Sequence, residues 1–321
     1  MPCIYAGLWL SARTACTHIK GSQMRQLKRS FLALLLLALI PTVAHAQLHI
    51  VATLPALGQI AAAVAGENGE VQVLARVGQD PHFVPPKPTL SRHLAKADLL
   101  VTAGLALEGG WLPPLIDLSR NSRIRQGQPG HFAGADTVDI LGVMKNVDRS
   151  MGDVHPEGNP HWWLDPLRAA TAATALAERL AKIDPANAVD YSQRAEAFGK
   201  RLQALVTEWQ SKLAGISPVV SYHDSYRYFS ERFAIPVVGF IEPKPGVEAS
   251  TRHLDYLVTL IGTKNVSQLW VEPYHLGRIA KRVATLSGAV LLTMPDAVEG
   301  GGTEGYVAMI ELLLEAAAGE Q

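Results

Sequence analysis

The sequence predicts an α/β protein of two lobes, each with a mostly parallel sheet flanked by helices, with one long helix between them. Three observations carry that expectation. Short β-rich runs alternate with helical stretches over residues 48–103, and the alternation returns over 219–293. Between them Tyr191, Ala195, Phe198, Leu202, Leu205, Trp209 and Leu213 recur at helical spacing. A parallel neighbour can be reached only by a crossover long enough to hold a helix, so strand-helix-strand order implies parallel sheets. A length of 321 residues suits two such units, and 48% hydrophobic against 18% charged residues suits a packed core.

In chain order, the first feature is a leader. Met24, Arg25, Lys28 and Arg29 open a short basic stretch, the apolar run 31–40 follows, and Ala44-His45-Ala46 is a small-x-small cleavage pattern before Gln47. That is a secretory signal peptide, with an apolar run too short to span a bilayer. A leader should open its chain, so Met24 is expected to be the true start and 1–23 an upstream extension. Cys3 and Cys16 both lie in that extension. The mature chain is therefore expected to have no disulfide, no thiolate metal site and no lipid-bearing cysteine at the cleavage point. A periplasmic location follows. The first 46 residues hold five of the 29 basic groups and none of the 29 acidic ones, which leaves 24 against 29 and a net charge of −5. Such a balance gives no footprint for nucleic acid or an anionic membrane.

Residues 48–54 read as a strand, 55–65 as a helix stopped by Gly66, 71–77 as a strand, 88–97 as a helix and 98–103 as a strand. The segment 120–157 is aperiodic, with one short strand near 138–141 and otherwise loop, so His131 and His155 are read there as solvated loop histidines. Asp165-Pro166 is a helix-start signal, an N-cap acceptor before proline at the first helical position, and 167–183 is the helix it begins. Asp184-Pro185 starts the long helix, ~44 Å if it runs straight to Leu213 at ~1.5 Å per residue. The second half continues with strands at 219–222, 236–241, 267–271 and 289–293, separated by helices at 224–233, 251–262 and 277–287, and closed by a helix at 306–318. The expected division is a leader to 46, a first lobe over 47–183, the spanning helix over 184–214 and a second lobe over 215–321.

Ligand-bearing side chains fall at the carboxyl ends of strands, where open parallel sheets gather their ligands. His223, Glu242 and Glu272 each follow a strand of the second half, His82 leaves the second strand of the first, and His161 sits on a proline-stiffened corner in Asn159-Pro-His-Trp-Trp-Leu-Asp-Pro166. Across a cleft, His82 and His161 would face His223. Three imidazoles with one oxygen donor suit zinc and other borderline transition ions, whereas manganese, calcium and magnesium take more oxygen. The competing reading is three packed or exposed histidines, since no His-Glu-x-x-His or cysteine pair accompanies them. His93, His253 and His275 lie on or beside helices and are read as off the metal. Asp224 could orient His223 or cap a helix.

On Asp80-Pro81-His82, the Asn159–Pro166 stretch, Tyr222-His223-Asp224-Ser225-Tyr226, Asp184-Pro185 and Val271-Glu272-Pro273, the chain resembles the periplasmic solute-binding proteins that feed metal ABC transporters, the zinc and manganese receptors. The resemblance covers the mature chain. It implies two lobes on a rigid helix, little closure on binding, no enzymatic activity and delivery of the ion to an inner-membrane permease by a monomer. It implies His82, His161 and His223 as metal ligands, and a third histidine points within the family to zinc, with manganese or iron as alternatives. The family places an Asp after the last strand. Here that region reads Leu292-Thr293-Met294-Pro295-Asp296-Ala297, so Asp296 is the expected fourth ligand, with Glu242, Glu272 or water as alternatives. Val84 replaces a usual aromatic, and no histidine-rich loop is present. A zinc hydrolase with Glu242 or Glu272 as general base, and an adhesin of similar fold, are the competing functions.

Overall fold

The computed structural model describes residues 47–144, 155–244 and 246–319. The leader, both cysteines and the Met24 start lie outside the described residues. Strand β1 (Leu48–Ala52) leads through helix α1 (Pro55–Ala65) to β2 (Gly69–Val73), and α2 (Pro88–Lys96) leads to β3 (Leu99–Thr102). Helix α3 (Leu112–Ser119) then precedes β4 (His131–Ala133). All pairings are parallel, in the order β2-β1-β3-β4. Helix α4 (Pro166–Ile183) is capped as its sequence predicts, with the Leu167 N–H donating to Asp165 and Pro166 in the first turn. Helix α5 (Ala188–Lys212) follows a 3-10 turn at Pro185–Asn187. Its 25 residues extend ~37 Å.

The second sheet repeats the first. Strands β5 (Val219–Ser221), β6 (Val237–Phe240), β7 (Gln268–Val271) and β8 (Val290–Thr293) pair in parallel in the order β6-β5-β7-β8. Helices α6 (Arg227–Arg232), α7 (Thr251–Lys264) and α8 (Arg278–Ser287) make the crossovers. The last helix, α9 (Gly302–Ala318), returns to the first half and packs on α1 and α5. There Tyr306 Oη donates to the Trp163 carbonyl and Gln59 to that of Val298. Both sheets belong to one compact unit, Ala46–Gln321. No helix of the described residues is long and apolar enough to cross a membrane.

Three expectations are corrected. Residues 138–141 form no strand; the fourth strand of the first sheet is His131–Ala133, where only Phe132 is buried. A three-residue strand with one apolar inward position has too little alternation to be read locally. His131 is accordingly a strand residue beside Thr102, with 3.3 Å between its Nε2 and the threonine Oγ1. Strand β2 ends at Val73, four residues short of the expected 77, and its partners on β1 set that limit. Helix α3, with Pro113 and Pro114 in its first turn, was not anticipated.

Candidate metal centre

His82, His161 and His223 come together from three loops, and one ring nitrogen of each lies within 4.8 Å of the others. Ring centroids are 5.3–5.6 Å apart. The first ring is fixed by its own loop. Asp80 Oδ1 accepts from both the His82 backbone N–H and Nδ1, at 2.9 and 3.0 Å, and the buried Trp111 indole donates to the Pro81 carbonyl at 2.9 Å. The second uses the same device. Asn159 Oδ1 accepts from His161 N and Nδ1 at 3.0 and 3.1 Å, the Asn159 amide donates to the Asp224 carbonyl, and Tyr228 Oη donates to the Asn159 carbonyl. These last two bonds reach into the second half, so the His161 corner is held by both sheets. Trp163 packs on the His161 ring at 5.4 Å, and the Trp162 indole donates to Ala103 at the end of β3.

His223 follows β5 and gives its Nδ1 proton to Glu242 Oε2 at 2.7 Å. Gly246 N–H holds the other carboxylate oxygen at 2.8 Å. Glu242 therefore orients the imidazole, a role the sequence suggested for Asp224; the Asp224 carboxylate instead accepts from Arg227 at 2.7 Å. In each of the three rings an oxygen acceptor takes Nδ1–H, so Nε2 carries the lone pair. The Nε2 atoms of His82 and His161 are buried with no hydrogen-bond partner among the described residues, the signature of nitrogens reserved for an ion.

The rings differ electrostatically. Burial, with the His82, His223 and His155 rings beside it, holds His161 well below the ordinary imidazole value. Burial also pushes His223 down, but its bond to Glu242 and the nearby Glu272 outweigh that and leave it raised.

Asp296 follows β8 and is not among the converging ligand atoms. Its carboxylate accepts from Tyr274 Oη at 3.2 Å, and burial with Glu272 nearby pushes it up to about 7. Glu272 is fully buried; Oε2 lies 3.2 Å from His275 Nδ1, and Oε1 has no hydrogen-bond partner among the described residues. His93 is exposed and His253 Nε2 donates to the Phe240 carbonyl, both off the cluster. His155, expected as a solvated loop residue, is instead a neighbour of the site, its ring 5.5 Å from that of His82. Its loop has no periodicity to reveal this; the only local signal was its position six residues before His161.

The family described as "ZnuA: Zinc-uptake complex component A periplasmic" matches residues 50–318. The metal ABC transporter substrate-binding lipoprotein ScbA of Streptococcus cristatus is 27% identical over 310 residues, covering 90% of this chain and 97% of its own. The manganese ABC transporter substrate-binding lipoprotein scaA of Streptococcus gordonii is 26% identical over 310 residues with the same coverage, 90% and 97%. A crystal structure of ZnuA shares the fold, with a TM-score of 0.68 at 22% identity over 86% of this chain and 98% of that one. With twin parallel sheets, three converging imidazoles and a family match over residues 50–318, the chain belongs to the ZnuA family of metal ABC transporter substrate-binding proteins, receptors that serve a membrane permease and its ATPase and not enzymes.

Proposed function

We propose that the chain captures a divalent transition ion, zinc foremost, between its two sheets and hands it to an inner-membrane permease. His82, His161 and His223 supply the nitrogen donors, and Asp296 is the candidate oxygen donor, available only in a conformation where its carboxylate has left Tyr274. Manganese and iron are the alternative cargoes, and relatives are named for each. The observation that carries the reading is the set of three ring nitrogens within 4.8 Å, two of them buried without a partner. Imidazole donors favour zinc over manganese, which takes oxygen-rich shells. The protein is proposed to act as a monomer in the periplasm after loss of the leader at Ala46. Glu242 is engaged by His223 and Gly246, which supports a receptor over a hydrolase needing it as a free base.

The test is metal analysis of protein purified from the exported fraction, before and after chelation. About one zinc per chain that reloads after stripping is the expected result. Mixed or substoichiometric metal that does not reload would sink the zinc reading.

A further inference from the structure

We infer that His155 is a fourth imidazole ligand, taking the open position of the ion while Asp296 is held by Tyr274. The inference rests on the receptor reading above. Its ground is that His155 is prepared in the same way as the other three rings. Its Nδ1 donates to the Leu105 carbonyl at 2.8 Å. A carbonyl can only accept, so the proton is on Nδ1 and the lone pair of the neutral ring is on Nε2. The acceptor is itself presented by an unusual backbone: Gly104, Leu105 and Ala106 all have positive φ, at 92°, 52° and 58°. Two consecutive non-glycine residues in the left-handed region are costly, and such local strain concentrates at functional sites.

Position agrees with preparation. The His155–His82 ring distance, 5.5 Å, falls within the 5.3–5.6 Å that separates the three converging rings. His155 also lines two of the cavities that flank the cluster. One, of about 650 Å³, it shares with His82; the other, of about 100 Å³, it shares with His161 and His223. Its ligand nitrogen does not join the 4.8 Å set in this conformation, so binding requires the ring to swing inward about its Leu105 anchor. His275 fails the same comparison. Its Nδ1 lies against Glu272, but its ring is stacked on Tyr222 at 4.3 Å and stands 6.4 Å from His223.

An all-imidazole shell narrows the cargo to borderline ions such as zinc, nickel or copper(II), and disfavours manganese. It places the choice of fourth donor, nitrogen or oxygen, on a loop and a strand end from opposite sheets.

The experiment is X-ray absorption fine structure on the exported protein carrying one equivalent of zinc, with zinc affinity measured by chelator competition. Wild type should show four imidazoles. His155→Ala should show three with an added oxygen and bind zinc at least about tenfold more weakly. His155→Asn, whose amide stands where Nδ1 does and can still donate to Leu105, so keeping the loop in place, should show the same loss. Asp296→Ala should keep four imidazoles. Three imidazoles in wild type, unchanged in both His155 variants, would overturn the inference and leave the receptor reading intact. Wild type that takes up no zinc would overturn both.

Discussion

His161 and His223 stand in one cluster yet shift in opposite senses: burial lowers both, but at His223 the carboxylates of Glu242, Glu272 and Asp224 together outweigh it. A metal ligand must shed its proton, so protons compete with the ion at each ring. With its value raised above 6.5, His223 protonates first on acidification, while His161 stays neutral to a much lower pH. In the metal-free chain, the raised value of His223 adds stability that is present in full below 6.5 and lost as pH rises through the folded value. Zinc affinity should accordingly fall as pH drops through neutrality. Glu242→Gln removes the carboxylate that raises His223, so the fall should begin at lower pH. At pH ~8 the variant should bind about 10–100-fold more weakly, because an amide has one acceptor oxygen and cannot take both the His223 and Gly246 N–H bonds, which loosens the ring's anchor. Chelator competition from pH ~8 to ~5 checks both, and the same onset in the two proteins would show that Glu242 does not control His223.

At the scale of elements, the turn that carries His161 depends on one close contact. Trp162 reaches from the 3-10 turn Trp162–Leu164 to the end of the first sheet, where its ring lies over Gly134. A Cβ on Gly134 would stand 2.0 Å from the Trp162 ring, far inside van der Waals contact. The ring cannot yield easily, because its indole N–H is bonded to Ala103 and it is 1% exposed. Gly134→Ala should therefore destabilise by about 1–3 kcal/mol, as overpacking does, and weaken zinc binding by displacing His161. Urea unfolding and zinc titration of the variant measure the two effects; a wild-type midpoint would mean that the turn absorbs the methyl.

At the scale of the whole molecule, a buried ion pair joins the two halves. Asp165, fully buried at the start of α4, accepts from Arg168 at 2.6 Å and takes two bonds of 2.8 Å from Arg232 on α6. The bond to Asp165 is the main reason the Arg232 guanidinium is held above its ordinary value. Removing one partner strands the other charge, which costs about 3–5 kcal/mol for a buried pair. Asp165→Ala should lose that amount by urea unfolding, with Asp165→Asn losing less because it retains a cap for α4. Equal stability of the alanine variant and wild type would show that the pair fixes orientation and adds no net stability. Helix α9 adds a second tie by returning from the last strand to α1 and α5.

Strand-helix alternation, the Asp165-Pro166 helix start and the placing of His82, His161 and His223 beyond strand ends or on a stiff corner were all legible in the sequence. Each is a local matter of period, cap or backbone restriction, and neighbours in the chain decide it. The three histidines were also legible as candidates because strand ends in parallel sheets converge, whatever their separation in sequence. Only the tertiary structure decided that Glu242 and not Asp224 holds His223, that His155 stands beside His82, and that Asp296 rests on Tyr274. It alone placed β4 at His131–Ala133 and carried α9 back to the first half. Those outcomes depend on contacts between residues tens to hundreds of positions apart, and short or aperiodic segments leave no trace of such contacts in their own pattern.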